Sequence, residues 1–276
     1  MDLAKLAHDE LTRGDNEKIN ELRKWLFLFN ELGSTRVKRV YENIQLFKPL
    51  DQASTAAIPQ PTIYCDLSRF TEIMGYNANR QLVPAIFNEK INAAIPKDEA
   101  YRDCKAGIKT IAYTNHIKRR QDDGTIKEIV EIQICPWYLE AKRASDLPVN
   151  LIGGLPERRE DGPAYDPSTN WSGVRKPHAH VLAEFMDSIL LHEFTHALLR
   201  VKGGTKDFAY KWNVCVSDGF QVRGCLNANS FSYFAIGVRL IKKHGIKLSK
   251  DGNIVALNAA TSKRDLEQFA MKRWTA

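Results

Sequence analysis

The stretch Leu190-Leu191-His192-Glu193-Phe194-Thr195-His196-Ala197-Leu198-Leu199 sets an H-E-x-x-H pattern in an apolar run. On a helix, residues four apart lie one turn above each other on the same face. Both imidazoles can then reach one metal ion, with Glu193 beside them to handle a proton. Pro177 suits the first position of such a helix and Gly203-Gly204 suits its end. Between them Val181, Phe185, Ile189, His192, His196 and Leu199 recur at spacings of three and four, which predicts that the histidines continue the buried stripe. Burying two imidazoles and a carboxylate is costly unless something pairs with them, and a metal ion does so directly.

A catalytic zinc site takes three protein ligands and leaves a fourth position for water. Lys202 stands where a longer H-E-x-x-H-x-x-G-x-x-H pattern would supply a third histidine. Beyond it the candidates are His244, Glu267, Asp207, Asp218, Asp251 and Asp265. Asp207 is the best placed, because the double glycine can end the helix and turn the chain back towards the metal. Tyr210 follows within the same turn, with its hydroxyl able to enter the site. Asp218, flanked by Gly219, is the second choice. His178 and His180 would point about 200° apart on a helix start, which argues against a second metal site.

The 276 residues, 43% of them hydrophobic and 26% charged, can bury a full core as one large domain or two smaller ones. No apolar run is long enough to span a bilayer, so no membrane association is expected. The opening Met1-Asp2-Leu3-Ala4-Lys5 lacks the apolar core of a signal peptide, which leaves an intracellular protein or one whose leader lies outside this sequence. The net charge of +7 is concentrated after the H-E-x-x-H segment, where residues 201–276 carry 13 basic and five acidic side chains. Arg239, Lys242, Lys243, Lys247 and Lys250 are read as a solvated helix face and not a nucleic-acid surface, since no aromatic residues interleave with them to stack bases. The five cysteines contain no C-x-x-C, which excludes a zinc ribbon. Cys215 and Cys225 are close enough in sequence to close a short disulfide.

The first fifty residues are helical in pattern. Leu22, Trp25, Leu26 and Phe29 form one stripe after an Asp15 cap, and Val37, Val40, Tyr41, Ile44 and Phe47 form a second after Gly33-Ser34-Thr35. Residues 49–61 read as a linker, 62–65 as a short strand and 82–95 as a helix. The runs 108–117 and 126–134 flank Asp123-Gly124 and predict an antiparallel hairpin, a candidate edge for holding an extended substrate. Residues 146–176 are loop-like.

Three segments together carry a resemblance. They are His192-Glu193-Phe194-Thr195-His196, Gly204-Thr205-Lys206-Asp207-Phe208-Ala209-Tyr210 and Asn227-Ala228-Asn229-Ser230-Phe231-Ser232-Tyr233-Phe234-Ala235. This combination resembles the deuterolysin and peptidyl-lysine metallopeptidase family, the aspzincins, which pairs H-E-x-x-H with G-T-x-D-x-x-Y and a later N-A-D-S-Y-x-Y-F-like run. The resemblance implies one Zn2+ per chain held by His192, His196 and Asp207. It implies Glu193 as general base, Tyr210 assisting the transition state, and protein or peptide substrates. The implied fold is α+β: a zincin-like catalytic domain over residues 61–240 with a small antiparallel sheet, a helical N-terminal region and linker over 1–60, and a basic extension over 241–276. Secretion is implied too, as are disulfide positions at Cys65 and the Cys215/Cys225 pair. Lys211 stands where the family usually has glycine, and Asn229 where it has aspartate. These departures motivate an alternative, a catalytically inactive zinc-binding relative acting as a secreted effector or partner-binding protein.

Overall fold

A computed structural model describes residues 2–28, 30–48, 59–77, 79–121, 123–144, 179–182, 186–198 and 204–257. Helices occupy Asp2–Arg13 (α1), Glu17–Leu26 (α2), Glu31–Ile44 (α3), Glu99–Ala106 (α4), Pro136–Ala144 (α5), Ala179–Leu182 (α6), Met186–Ala197 (α7), Trp212–Cys215 (α8), Gln221–Gly224 (α9) and Ala228–His244 (α10). Strands occupy Pro61–Tyr64 (β1), Phe70–Tyr76 (β2), Leu82–Asn88 (β3), Ala93–Pro96 (β4), Ala112–Arg120 (β5), Ile126–Ile134 (β6), Ile246–Leu248 (β7) and Ile254–Ala256 (β8). The architecture is α+β, and it divides into two units: residues 1–45 with 147–276, and residues 46–146. The division does not follow the expected boundaries at 60 and 240. The N-terminal helices join the H-E-x-x-H segment because their apolar stripes are buried by α10, far along the chain.

In the first unit α10 is the axis. Its residues are apolar on almost every side, and a helix of that kind needs cover all round. Phe231, Tyr233, Phe234, Ile236, Val238 and Leu240 are wholly buried. The Phe27 ring lies 5.1 Å from Phe231 and 5.5 Å from Phe234, and the Tyr41 hydroxyl donates to the Phe231 carbonyl at 2.6 Å. α1, α2 and α7 pack on the same helix. The N-terminal caps differ from those expected. Asn16, not Asp15, caps α2, accepting from the Lys18 and Ile19 amides. α3 starts at Glu31, ahead of Gly33-Ser34-Thr35, because Asn30 accepts from the Gly33 amide at 2.7 Å. Phe29, Pro177, His178, Phe185, Leu199 and Gly203 lie outside the described residues, as does the side chain of His180.

The basic cluster is less solvated than its composition suggests. Arg239 pairs with Asp187, Lys242 with the buried Glu10 at 3.2 Å, Lys247 with Glu21 at 3.4 Å and Lys250 with Asp218 at 2.9 Å. Four of the five cations thus face carboxylates. Residues 246–256 form a β7–β8 hairpin where only a basic extension was expected, and residues 258–276 lie outside the described set.

The second unit is built on two sheets of three strands each, ordered β1-β6-β5 and β2-β3-β4. The predicted hairpin is β5–β6, antiparallel from Ala112↔Ile134 to Arg120↔Ile126, with Gly124 at φ +83° in its turn. β1, the predicted short strand, pairs with β6 in parallel, so this sheet is mixed. The helix expected over 82–95 is instead the β3–β4 hairpin. Pro84 inside that segment removes a helical donor, and β4 pairs only with Ala85 to Asn88, which leaves Pro84 with β2 alone as neighbour. Between the strands Glu131 accepts from Arg69 and twice from Asn88, all three side chains being buried. Cys104 and Cys135 form a disulfide. The expected Cys215–Cys225 bond is not made: both are buried free thiols, and Cys65 is an exposed one. Among the described residues no helix is long and apolar enough to cross a membrane.

Candidate metal centre

All the candidate ligands belong to the first unit, whereas the β5–β6 hairpin belongs to the second. α7 carries His192 and His196 one turn apart, as the spacing requires, with ring centroids 4.7 Å apart. Their Nε2 atoms face each other at 3.0 Å, and Asp207 Oδ1 lies 3.2 Å from each. A tetrahedral ion bound at 2.0–2.1 Å holds neighbouring ligand atoms about 3.3 Å apart, so the triangle fits zinc in size as well as in donor type.

The tautomer of His196 follows from its other nitrogen. Nδ1 lies 3.2 Å from the Thr205 carbonyl, which can only accept, so Nδ1 carries the proton and Nε2 presents its lone pair to the cluster. Thr205 is fixed in turn. The Thr195 hydroxyl donates to the His192 carbonyl at 2.7 Å, so the Thr205 hydroxyl donates to Thr195 Oγ1 at 2.6 Å. Thr195 is the second variable residue of H-E-x-x-H, and it ties the metal helix to the segment that brings Asp207.

Glu193 is buried, with Oε1 3.9 Å from His192 Nε2. The Tyr210 ring stacks on His192 at 6.3 Å and 19°, and its hydroxyl interacts with Asp207. Although 63% of Tyr210 is exposed, partial desolvation of its hydroxyl raises the phenol above its ordinary pKa, and the Asp207 charge adds to the rise. Burial alone would raise the Asp207 carboxyl, but the His192 and His196 imidazoles, in their protonated forms, donate to it and hold it far below the usual carboxylate range. Burial pulls the His196 imidazole down, yet Asp207, Glu193 and the Thr205 carbonyl outweigh it and leave its pKa raised.

His192, Glu193, His196, Asp207 and Tyr210 thus lie together, and these two histidines and Asp207 form a group able to hold a metal ion. Asp218, the second choice for third ligand, is turned outward to Lys250. Asp265 and Glu267 lie outside the described residues. Sequence reasoning missed the supports: Thr195, Thr205 and above all Asn227, whose side chain accepts from the Phe208 and Ala209 amides at 3.0 Å each. The signal for Asn227 was present, since it opens the third of the quoted segments. No family model matches the chain, and no curated protein and no solved structure is detectably similar to it.

Proposed function

We propose that the chain is a zinc-dependent metalloendopeptidase of the aspzincin type, with a zincin-like catalytic unit that hydrolyses peptide bonds in proteins or peptides. The observation that carries this reading is the 3.0–3.2 Å triangle of two imidazole nitrogens and one carboxylate oxygen, with a buried glutamate beside it. His192, His196 and Asp207 would hold the zinc, which would supply Lewis acidity and a water acidified towards neutral pH. Glu193 takes a proton from the attacking water and returns it to the leaving amine. Tyr210, a phenol that is protonated at neutral pH, donates a hydrogen bond to the oxygen that gains charge, an effect worth about 3 kcal/mol in comparable sites. His196, held by Thr205, keeps its donor nitrogen aimed inward.

The departures that favour an inactive relative have local explanations here. Asn229 is buried and donates to the Ala209 carbonyl at 3.2 Å, a bond an ionised aspartate could not give. Lys211 is exposed and begins the short helix α8. The reading is tested by digesting a mixed peptide library with the purified protein and with Glu193→Gln, read by mass spectrometry. Cleavage by the wild type alone is expected, with both proteins binding one zinc per chain. Zinc uptake with no cleavage by either would make the inactive relative the better reading.

A further inference from the structure

Asp207 sits between two clamps, both supplied by the segment that opens α10. On one side Lys206 donates its amide to the Leu226 carbonyl at 2.7 Å and accepts from the Ala228 amide at 3.1 Å, a parallel bridge opposite Asn227. On the other side Asn227 Oδ1 accepts from both Phe208 and Ala209 amides at 3.0 Å. The Asn227 Nδ2 group donates to Ser230 Oγ at 3.1 Å and to the Cys215 sulfur at 3.4 Å. Both acceptor sites and both donors of the amide are therefore in use, and the wholly buried side chain has one orientation. Further along, Asn229 holds the Ala209 carbonyl and the Tyr233 hydroxyl holds the Tyr210 carbonyl at 2.9 Å.

Among the described residues, two other asparagine caps in this unit show what Asn227 does not do. Asn16 and Asn30 each give their side-chain oxygen to amides of the helix they begin, which is the ordinary use of asparagine at that position. Asn227 stands at the same position of α10 and makes no such bond. Its oxygen goes instead to the two amides immediately after Asp207. α10 also meets the metal helix directly, through Ser232 Oγ donating to the Ser188 carbonyl at 3.1 Å.

We infer that Asn227 is a positioning residue for the metal centre: it fixes the backbone after Asp207 so that the carboxylate meets both imidazoles. The inference rests on the metal-centre reading above and adds the residue that sets its geometry. Outer residues that orient ligands typically contribute 10–100-fold in metal affinity, and that range is the loss expected here.

The test is zinc affinity, measured by competition with a chromophoric chelator on the full chain, together with the visible spectrum of the cobalt-loaded protein. Asn227→Ala should bind zinc 10–100-fold more weakly and change the cobalt spectrum. Asn227→Asp, which keeps both acceptor bonds, should recover most of the affinity. Tyr41→Phe, which removes a buried bond to α10 that involves no atom of residues 204–210, should lower the melting temperature and leave zinc affinity unchanged. If Asn227→Ala does not fold, Asn229→Ala gives up one bond to Ala209 and should show a smaller loss with a shifted cobalt spectrum. Unchanged affinity in the foldable variant, or equal losses in Tyr41→Phe, overturns the positioning role alone. A wild type that binds no zinc overturns the metal-centre reading itself.

Discussion

The Nε2 atoms of His192 and His196 point at each other across 3.0 Å. Two bare imidazole nitrogens repel at that separation, so the arrangement is stable only with a cation or a proton between them, and Asp207 completes the set on a third side. Most of what the site should do in solution follows from this convergence.

Zinc should stabilise the fold. At a free concentration one hundred times its dissociation constant, a ligand bound only by the native state contributes about 2.7 kcal/mol, which corresponds to roughly 5–10 °C in a chain of this size. Thermal melts with and without a chelator should show that difference in the wild type. His196→Ala and Asp207→Ala should melt at one temperature under both conditions. A full shift retained in His196→Ala would sink the ligand assignment.

The cysteines divide cleanly by accessibility. Three of the five are free thiols, of which only Cys65 is exposed. Alkylation at pH 8 should therefore add one label to the native chain, three after denaturation and five after denaturation with reduction, counted by intact mass. Burial raises the Cys215 thiol from 9.0 to about 12. A raised folded pKa means that its contribution to stability is fully present below the unfolded value of about 9 and is lost as pH climbs towards about 12. Urea unfolding of wild type against Cys215→Ser should show the wild type losing ground between pH 8 and 11. Equal slopes for the two proteins would mean that the thiol is solvated.

Two glycines permit the close packing behind the site, with different tolerance. A Cβ on Gly224 would stand 1.8 Å from the Leu26 carbonyl oxygen, which is backbone and cannot move aside. A Cβ on Gly237 would meet the end of the Leu22 side chain at 2.4 Å, a group that can rotate. Gly237→Ala should cost about 1–3 kcal/mol, the ordinary range for overpacking, and Gly224→Ala more than that. Urea midpoints of the two variants would reverse in order if α9 shifts freely against α2.

What the sequence alone determined was local. The four-residue spacing of His192 and His196, the helical N-terminus, the hairpin across Gly124 and the candidacy of Asp207 each depend on residues within about a dozen positions of one another, where backbone periodicity and turn chemistry act. The same local reasoning failed at 82–95, where Val83, Ile86, Phe87 and Ile95 fit either period and only pairing with Phe70–Tyr76 made the segment a strand. It failed again at the cysteines, because Cys104 and Cys135 are joined by the packing of α4 against α5, while Cys215 is occupied by Asn227 and Ala209. Tertiary structure alone decided that Asp207 completes the triangle while Asp218 faces Lys250. An aspartate can serve as a ligand only where its backbone is held in place, and here the two amides after Asp207 are held by a buried asparagine 20 residues further on, at the start of the helix on which the whole unit is packed.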